Sequence, residues 1–330
     1  MKSFWKPIAF TGPVLILAGC APSPSFLQPA SGIASDQARL FNILLILAVV
    51  VLVLVEAGFA WSLLRDRKRE GDNSLPPQIT GNARVEMVWT VIPVILVIVL
   101  FVLMVQTMGA VAAPAPAPGD INLRVVGHRW WWEFDYPDLG IVTANELHIP
   151  AGANVQITLD SVDVIHSFWV PQLSGKTDAI PGQTNHMWMN AGQPGTYLGQ
   201  CAEFCGTEHA LMRIVVVVDS PEDFKAWAAN QQKPAAQPQS ADEQAGLKIL
   251  QGTCAGCHSL DPNEKEVKVG PNLAHVLSRS MFAGDTFDLN ETNLRRWLSD
   301  TQAMKPGNDM QITLLPQEID QVIAYLKLLK

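Results

Sequence analysis

The longest apolar runs of this 330-residue chain are crowded into its first third. Residues 7–17 are mostly apolar behind Lys2 and Lys6, and end in Leu17-Ala18-Gly19-Cys20. Two longer runs follow, at about 39–64 and 86–108. Each reaches or exceeds the roughly 20 residues that a helix needs to cross a bilayer. Arg65, Arg67, Lys68, Arg69 and Arg84 lie between them. By the positive-inside rule, the pattern predicts a helical hairpin with its connecting loop in the cytoplasm. Everything after residue 108 then lies outside.

Past Pro114-Ala115-Pro116-Ala117-Pro118, a stiff linker, the period changes. Residues 121–126 and 155–159 alternate apolar with polar side chains, as half-buried strands do. Ile214-Val215-Val216-Val217-Val218 is continuously apolar, the pattern of a strand buried on both faces. With Gly and Pro between them, these runs predict a Greek-key sandwich or barrel over residues 119–226. A polar, Pro-containing stretch at 227–240 marks a boundary. Beyond it the period is helical, at 241–251 and again at 317–329, where Ile319, Val322, Ile323 and Leu326 share a face. Ala245 and Gly246 would let those two helices cross closely. The predicted fold is therefore multi-domain: a transmembrane α-helical hairpin over 38–110, an all-β domain and an all-α domain over 241–330.

Charge and cysteine count narrow the function. A net charge of −8 makes nucleic acid an unsuitable partner. The cysteines fall into three contexts, none of which requires a disulfide. Cys20 closes a secretory signal of bacterial lipoprotein type over 1–19 and would become the lipidated first residue of the mature chain. Residues 20–37 then form an extended tether. Cys201-Ala202-Glu203-Phe204-Cys205-Gly206-Thr207-Glu208-His209-Ala210-Leu211-Met212 gathers two thiols, an imidazole and a thioether. Such soft donors suit copper, and a second Cys allows a second copper to be bridged. Zinc also accepts two Cys with two His, but Met212 adds little to a zinc site. Cys254-Ala255-Gly256-Cys257-His258 is the C-x-x-C-H signature of covalent haem attachment, with the histidine as axial ligand. Methionine is the expected sixth ligand, and Met281, Met304 and Met310 are the candidates. His275 is better placed to line the proximal side than to bind iron.

Several of these pieces resemble subunit II of the haem–copper cytochrome oxidases, over about residues 38–225. They are Val164-Ile165-His166-Ser167-Phe168, the run Lys176-Thr177-Asp178-Ala179-Ile180-Pro181-Gly182, the loop from Gly199 through Met212, and Gly127-His128-Arg129-Trp130-Trp131-Trp132. The resemblance implies a cupredoxin fold and a binuclear CuA centre bridged by Cys201 and Cys205. One copper would add His166 and Met212, and the other His209 and the carbonyl of Glu203. It further implies that electrons enter at Trp130 and that Glu203 binds magnesium at the junction with the catalytic subunit. Glu86 would lie near the entrance of a proton pathway, although an acid at a helix start is also favoured by the macrodipole alone. Residues 305–310 resemble the distal loop of the cytochrome domains fused to subunit II in caa-type oxidases, which implies a class I cytochrome c domain with Met310 on the iron. The family usually continues with Pro, where this chain has Gln311.

By this likeness the chain is a non-catalytic electron-transfer subunit of a terminal oxidase. Electrons would pass from haem c to CuA and on to the oxygen-reducing subunit I. Its place would be the bacterial inner membrane, with both redox domains on the periplasmic side. Its partners would be subunit I, other oxidase subunits and an upstream donor, either cytochrome c or a quinol–cytochrome c reductase. A CuA-containing nitric oxide reductase keeps the same wiring, and a copper-delivery protein could use C-x-x-x-C but has no use for Met212 or a haem. Of the remaining residues, Glu56, inside the first apolar run, is expected to be neutral or paired with a partner subunit ahead of touching a proton path. Trp131 and Trp132 are expected in the β core, and His128, His148 and His186 are read as structural.

Overall fold

The computed structural model describes residues 24–67, 71, 75, 78, 81–264 and 268–330. Cys20 with the whole signal segment, and Lys68 and Arg69 of the hairpin loop, lie outside the described residues.

The two long apolar runs form α1 (Gly32–Arg65) and α2 (Ala83–Val111). Their side chains, from Leu52 to Leu54 and from Val97 to Val99 for example, remain exposed. A water-soluble domain would bury such stripes, so they suit a hydrocarbon surrounding. Asn82 caps α2 through the amides of Arg84 and Val85, and the carboxylate of Glu86 accepts the Asn82 N–H at 3.2 Å. The helix-start role of Glu86 is thus realised. Glu56 lies on the exposed surface of α1.

The expected extended tether is corrected by the structure. α1 begins at Gly32, several residues before the apolar run, because the Ser31 hydroxyl accepts from the Ala34 N–H and caps it. The preceding segment is seated on the β domain. Ala30 N–H donates to the Gln172 carbonyl at 2.8 Å, and Ser31 Oγ donates to Leu173 at 2.6 Å. At the end of α2, the Trp188 indole donates to the Val111 carbonyl at 3.0 Å.

The β domain consists of β1 (Ile121–His128), β2 (Trp131–Tyr136), β3 (Ile141–Ala144), β4 (Glu146–Pro150), β5 (Val155–Ser161), β6 (His166–Trp169), β7 (Thr177–Ala179), β8 (Asn185–Met189), β9 (Gly195–Cys201) and β10 (Arg213–Asp219). They form two five-stranded sheets, ordered β3-β2-β1-β5-β8 and β4-β10-β9-β6-β7. β1 runs parallel to β5 and β4 parallel to β10, the signature of strands that cross between sheets. Trp132, Phe134, Leu147, Phe168 and Val216 fill the space between the sheets. β10 is paired on both sides, by β4 and β9, and most of its apolar run is buried on both faces, as its sequence predicts.

The domain does not end at residue 226. α3 (Pro221–Gln231), capped by Ser220, lays Phe224, Trp227 and Ala228 on the β core, so the linker starts after it. At eleven residues it is short, and it runs directly into the polar stretch that marks the boundary.

In the C-terminal domain, α4 (Ala241–Ile249) starts at a capping box made by Ser240 and Glu243. The chain then passes a hairpin, β11 (Met281–Phe282) with β12 (Phe287–Asp288), and the helices α5 (Glu291–Ser299), α6 (Thr301–Met304) and α7 (Pro316–Leu326). α4 crosses α7 at Gly246, where a Cβ would stand 2.0 Å from the Gln321 carbonyl oxygen. Only glycine allows that crossing.

Candidate metal centres

The β9–β10 hairpin carries the first centre. The Cys201 amide donates to the Met212 carbonyl at 2.9 Å, closing the loop, and the Ala202 amide donates to Ser167 on β6 at 2.9 Å. Cys201 and Cys205 face each other with their sulfurs 3.8 Å apart. His166 Nδ1 lies 4.0 Å from Cys201 Sγ, His209 Nδ1 3.6 Å from Cys205 Sγ, and Met212 Sδ 3.8 Å from Cys205 Sγ. The Glu203 carbonyl lies 3.2 Å from Cys201 Sγ, while its carboxylate belongs to an exposed residue. All six residues expected at this site are therefore brought together, in a pocket where His166, Cys201, Cys205 and Met212 are buried.

Their environment suits a soft metal. The hydrogen bond from Cys205 and the neighbouring His166 hold Cys201 well below the ordinary thiol range, and the same bond together with burial pushes Cys205 up. The direction of the Cys201 shift favours its thiolate, the form that binds metal. His166 Nε2 is tied to Asp163 Oδ1 at 2.8 Å, which turns Nδ1 toward the sulfurs. Trp132 packs edge-on against the imidazole. Gly127 faces it from β1, where a Cβ would stand 2.6 Å from the ring. That positioning role escapes a reading by ligand type; its only trace in the sequence is a glycine inside a strand pattern.

The second centre is a cavity of about 440 Å³ in the C-terminal domain. Cys254, Cys257, His258 and Met310 all line it. His258 Nδ1 hydrogen-bonds the Pro271 carbonyl at 2.7 Å, which leaves Nε2 as the ring nitrogen available to a metal. Burial and the charge of Arg279 hold this imidazole below its ordinary value, in the neutral form a metal requires. Gly270 admits the ring, since a Cβ there would lie 2.5 Å from it. Leu250, Leu294, Leu298 and Val322 supply apolar wall. Arg279 adds a buried cation whose Nε has no partner. A largely apolar cavity with Arg129, Arg279 and Lys305 in its lining, two nearby thiols and a neutral imidazole fits a haem, which is flat, largely apolar and carries carboxylates.

Met281 also lines the cavity, whereas Met304 packs in the domain core. His275 does not line the cavity: its Nδ1 hydrogen-bonds the Lys330 carbonyl and its Nε2 that of Lys233. It ties the chain end to the linker, which corrects its expected place beside the proximal ligand. His128 stacks on Trp131 at 4.0 Å. His148 lies between Asp219, at 2.7 Å, and Glu146, at 3.3 Å. His186 is exposed on β8.

The tryptophans join the two centres. Trp132 is in the β core as expected, but Trp131 is at the boundary between domains and donates its indole N–H to the Val269 carbonyl at 3.1 Å. Trp131 is therefore buried between His128 of the β sandwich and the C-terminal domain, outside the sandwich core. Trp130 lines the haem-sized cavity and donates its indole N–H to the Cys205 carbonyl at 3.0 Å. Elsewhere on this boundary, Glu146 accepts from the amide of Ser280 at 2.8 Å and from its hydroxyl.

Comparison with known proteins agrees with this layout. Residues 21–106 match the transmembrane domain of cytochrome c oxidase subunit II, residues 140–219 match its periplasmic domain, and residues 243–330 match the cytochrome c family. Cytochrome c oxidase subunit 2 of Alkalihalophilus pseudofirmus is 34% identical, over 99% of this chain and 97% of that one. The protein of the same name from Bacillus sp. strain PS3 is 37% identical over 99% and 98%. That of Bacillus subtilis is 33% identical over 100% and 99%.

Proposed function

This chain belongs to the cytochrome c oxidase subunit II family, and on that premise we propose that it carries electrons from a covalently bound haem c to a binuclear CuA centre and on to the oxygen-reducing subunit. Membership makes it a membrane-bound electron-transfer subunit of an oxidoreductase complex, with copper and haem c as its cofactors and the catalytic subunit I as its partner. When bound, the haem and the copper pair supply reversible one-electron chemistry.

The residues divide the remaining work. Cys254 and Cys257 would hold the haem covalently, and His258 and Met310 would bind its iron. Cys201, Cys205, His166, His209, Met212 and the Glu203 carbonyl would hold the copper pair. The β sandwich fixes these donors before and after electron transfer, which keeps reorganisation small. By the family likeness, the carboxylate of Glu203 would bind magnesium at the junction with subunit I, and Glu86 would lie near the entrance of a proton pathway there. Cys20 would add a lipid anchor. In the bacterial inner membrane, with both redox domains on the periplasmic side, the upstream cytochrome c or quinol–cytochrome c reductase would meet the haem domain.

One observation carries the reading. Trp130 both lines the haem-sized cavity and hydrogen-bonds the backbone of Cys205, so a single side chain touches both centres. Replacing it tests the route. Trp130→Leu is expected to slow haem c to CuA transfer at least about tenfold, followed by flash photolysis in the assembled oxidase, with both absorption spectra unchanged. An unaltered rate in a correctly loaded variant would dismiss Trp130 as the bridge.

A further inference from the structure

Lys305 stands where the two redox loops meet. It ends α6 and opens the turn Lys305-Pro306-Gly307-Asn308-Asp309 that leads into Met310. Its side chain leaves the domain it belongs to. Nζ donates to the Leu211 carbonyl at 3.2 Å and to the Ala283 carbonyl at 3.0 Å, and lies 3.5 Å from Glu208 Oε2. Glu208 and Leu211 sit inside the copper loop, on either side of His209 and just before Met212. One ammonium therefore ties the loop of the distal haem residue to the loop of the copper donors.

Both charges are dry: Lys305 is 3% exposed and Glu208 2%. The ammonium donates hydrogen bonds to the two carbonyls, and the Glu208 carboxylate, whose Oε2 has no hydrogen-bond partner, stands beside it as the buried counter-charge. Such a pair adds little to stability by itself, because desolvating two ions offsets most of their attraction. Its effect is on specificity. A domain docked a few ångströms out of place would leave two buried charges unpaired, which is heavily penalised.

Other contacts on the same loop point the same way. Thr286 Oγ1 donates to the Leu211 carbonyl at 3.1 Å, and the Arg213 amide donates to the Gly284 carbonyl at 3.0 Å. The approach is close: a Cβ at Gly284 would stand 2.7 Å from the Leu211 carbonyl oxygen, and one at Gly307 2.8 Å from the Thr207 side chain.

We propose that Lys305 is a positioning residue that sets the register of the docked cytochrome domain on the copper loop, and with it the span that electrons cross between the two centres. The second half rests on the route given under Proposed function; the first half does not. The bland alternative is that Lys305 only shapes the turn before Met310.

The test uses the full-length, cofactor-loaded oxidase with Lys305→Met and Glu208→Gln. Docking is read from hydrogen exchange of the Arg213 amide, and electron transfer from flash photolysis. Each variant is expected to speed Arg213 exchange and slow haem c to CuA transfer by tenfold or more, with the Met–iron and CuA absorption bands intact. The double variant should recover part of both losses relative to Lys305→Met, since Glu208 is no longer left without a counter-charge. Unchanged exchange in both single variants overturns the proposal. So does a shifted Met–iron band in Lys305→Met with a silent Glu208→Gln, which is the turn-shaping result. Faster exchange with an unchanged transfer rate upholds the register and overturns the electron route. Should Lys305→Met fail to assemble, Glu208→Gln, which alters nothing in the cytochrome domain, decides the question alone.

Discussion

The copper loop and the haem cavity hold their groups in opposite ways. The copper donors sit on one hairpin and one neighbouring strand, with 3.6 to 4.0 Å between the sulfurs and their His or Met neighbours. Strand pairing places them, and Cys201, Cys205 and Met212 form one end of a β core that many other residues fill without them. The walls of the haem cavity are themselves the core of the C-terminal domain: Leu250, Leu294, Leu298, Val322 and Leu326 serve both. A metal added to the first site decorates a finished fold. A haem in the second completes one, because an apolar cavity of about 440 Å³ is expensive to leave unfilled.

The harshest test of that contrast removes each group in turn. Cys254→Ser with Cys257→Ser prevents covalent attachment and is expected to abolish slow hydrogen exchange across residues 241–330, while strands β1 and β10 keep theirs. Chelating the copper should leave protection in the β sandwich largely in place and move its unfolding midpoint by only a few degrees. A C-terminal domain that stays protected without its haem would break the comparison.

A smaller effect separates the two cores. Gly246→Ala puts a methyl group 2.0 Å from the Gln321 oxygen at the α4–α7 crossing. Overpacking of this kind costs about 1–3 kcal/mol or more. It should lower the denaturation midpoint followed at the haem band and leave the copper band where it was.

The mildest test is a pH profile of the β domain. Burial lowers the His148 pKa, but its hydrogen bonds to Asp219 and Glu146 outweigh this and raise it above the ordinary 6.5. A folded-state value above the unfolded one means stability that is full below 6.5 and lost as pH rises through the raised value. Thermal unfolding followed at the CuA absorbance should show that decline in the parent chain, and His148→Gln should flatten it. An equal slope in both would remove His148 from the account.

What the sequence disclosed follows from distance along the chain. Cys201 to Met212 was legible because all its donors but one lie within twelve residues, and C-x-x-C-H because attachment chemistry fixes its spacing. The hairpin and the strands were legible from period alone. Hidden were features made by pairs far apart. Lys305 with Glu208, Trp131 with Val269 and Glu146 with Ser280 join residues that no local pattern connects. Trp131 looked like core because burial by a neighbouring domain and burial by one's own have the same signature in composition. α3 was concealed by its shortness and the polar stretch that follows it, and the early start of α1 by a cap whose hydroxyl also bonds the β domain.

The two attachments of the β domain to the helical hairpin have a mechanical consequence. Ala30 and Ser31 grip it beside Leu173, just ahead of α1, and Trp188 on β8 grips the end of α2. A body hung from a single strap can swivel freely. One bolted at two separate points keeps only a rocking motion about the line between them. The hairpin thus works as a bracket, and the height of the copper above the bilayer is set by the length and tilt of two helices. Lengthening the Pro-Ala strap at 114–118 would add slack to the chain while both attachments still held the domain.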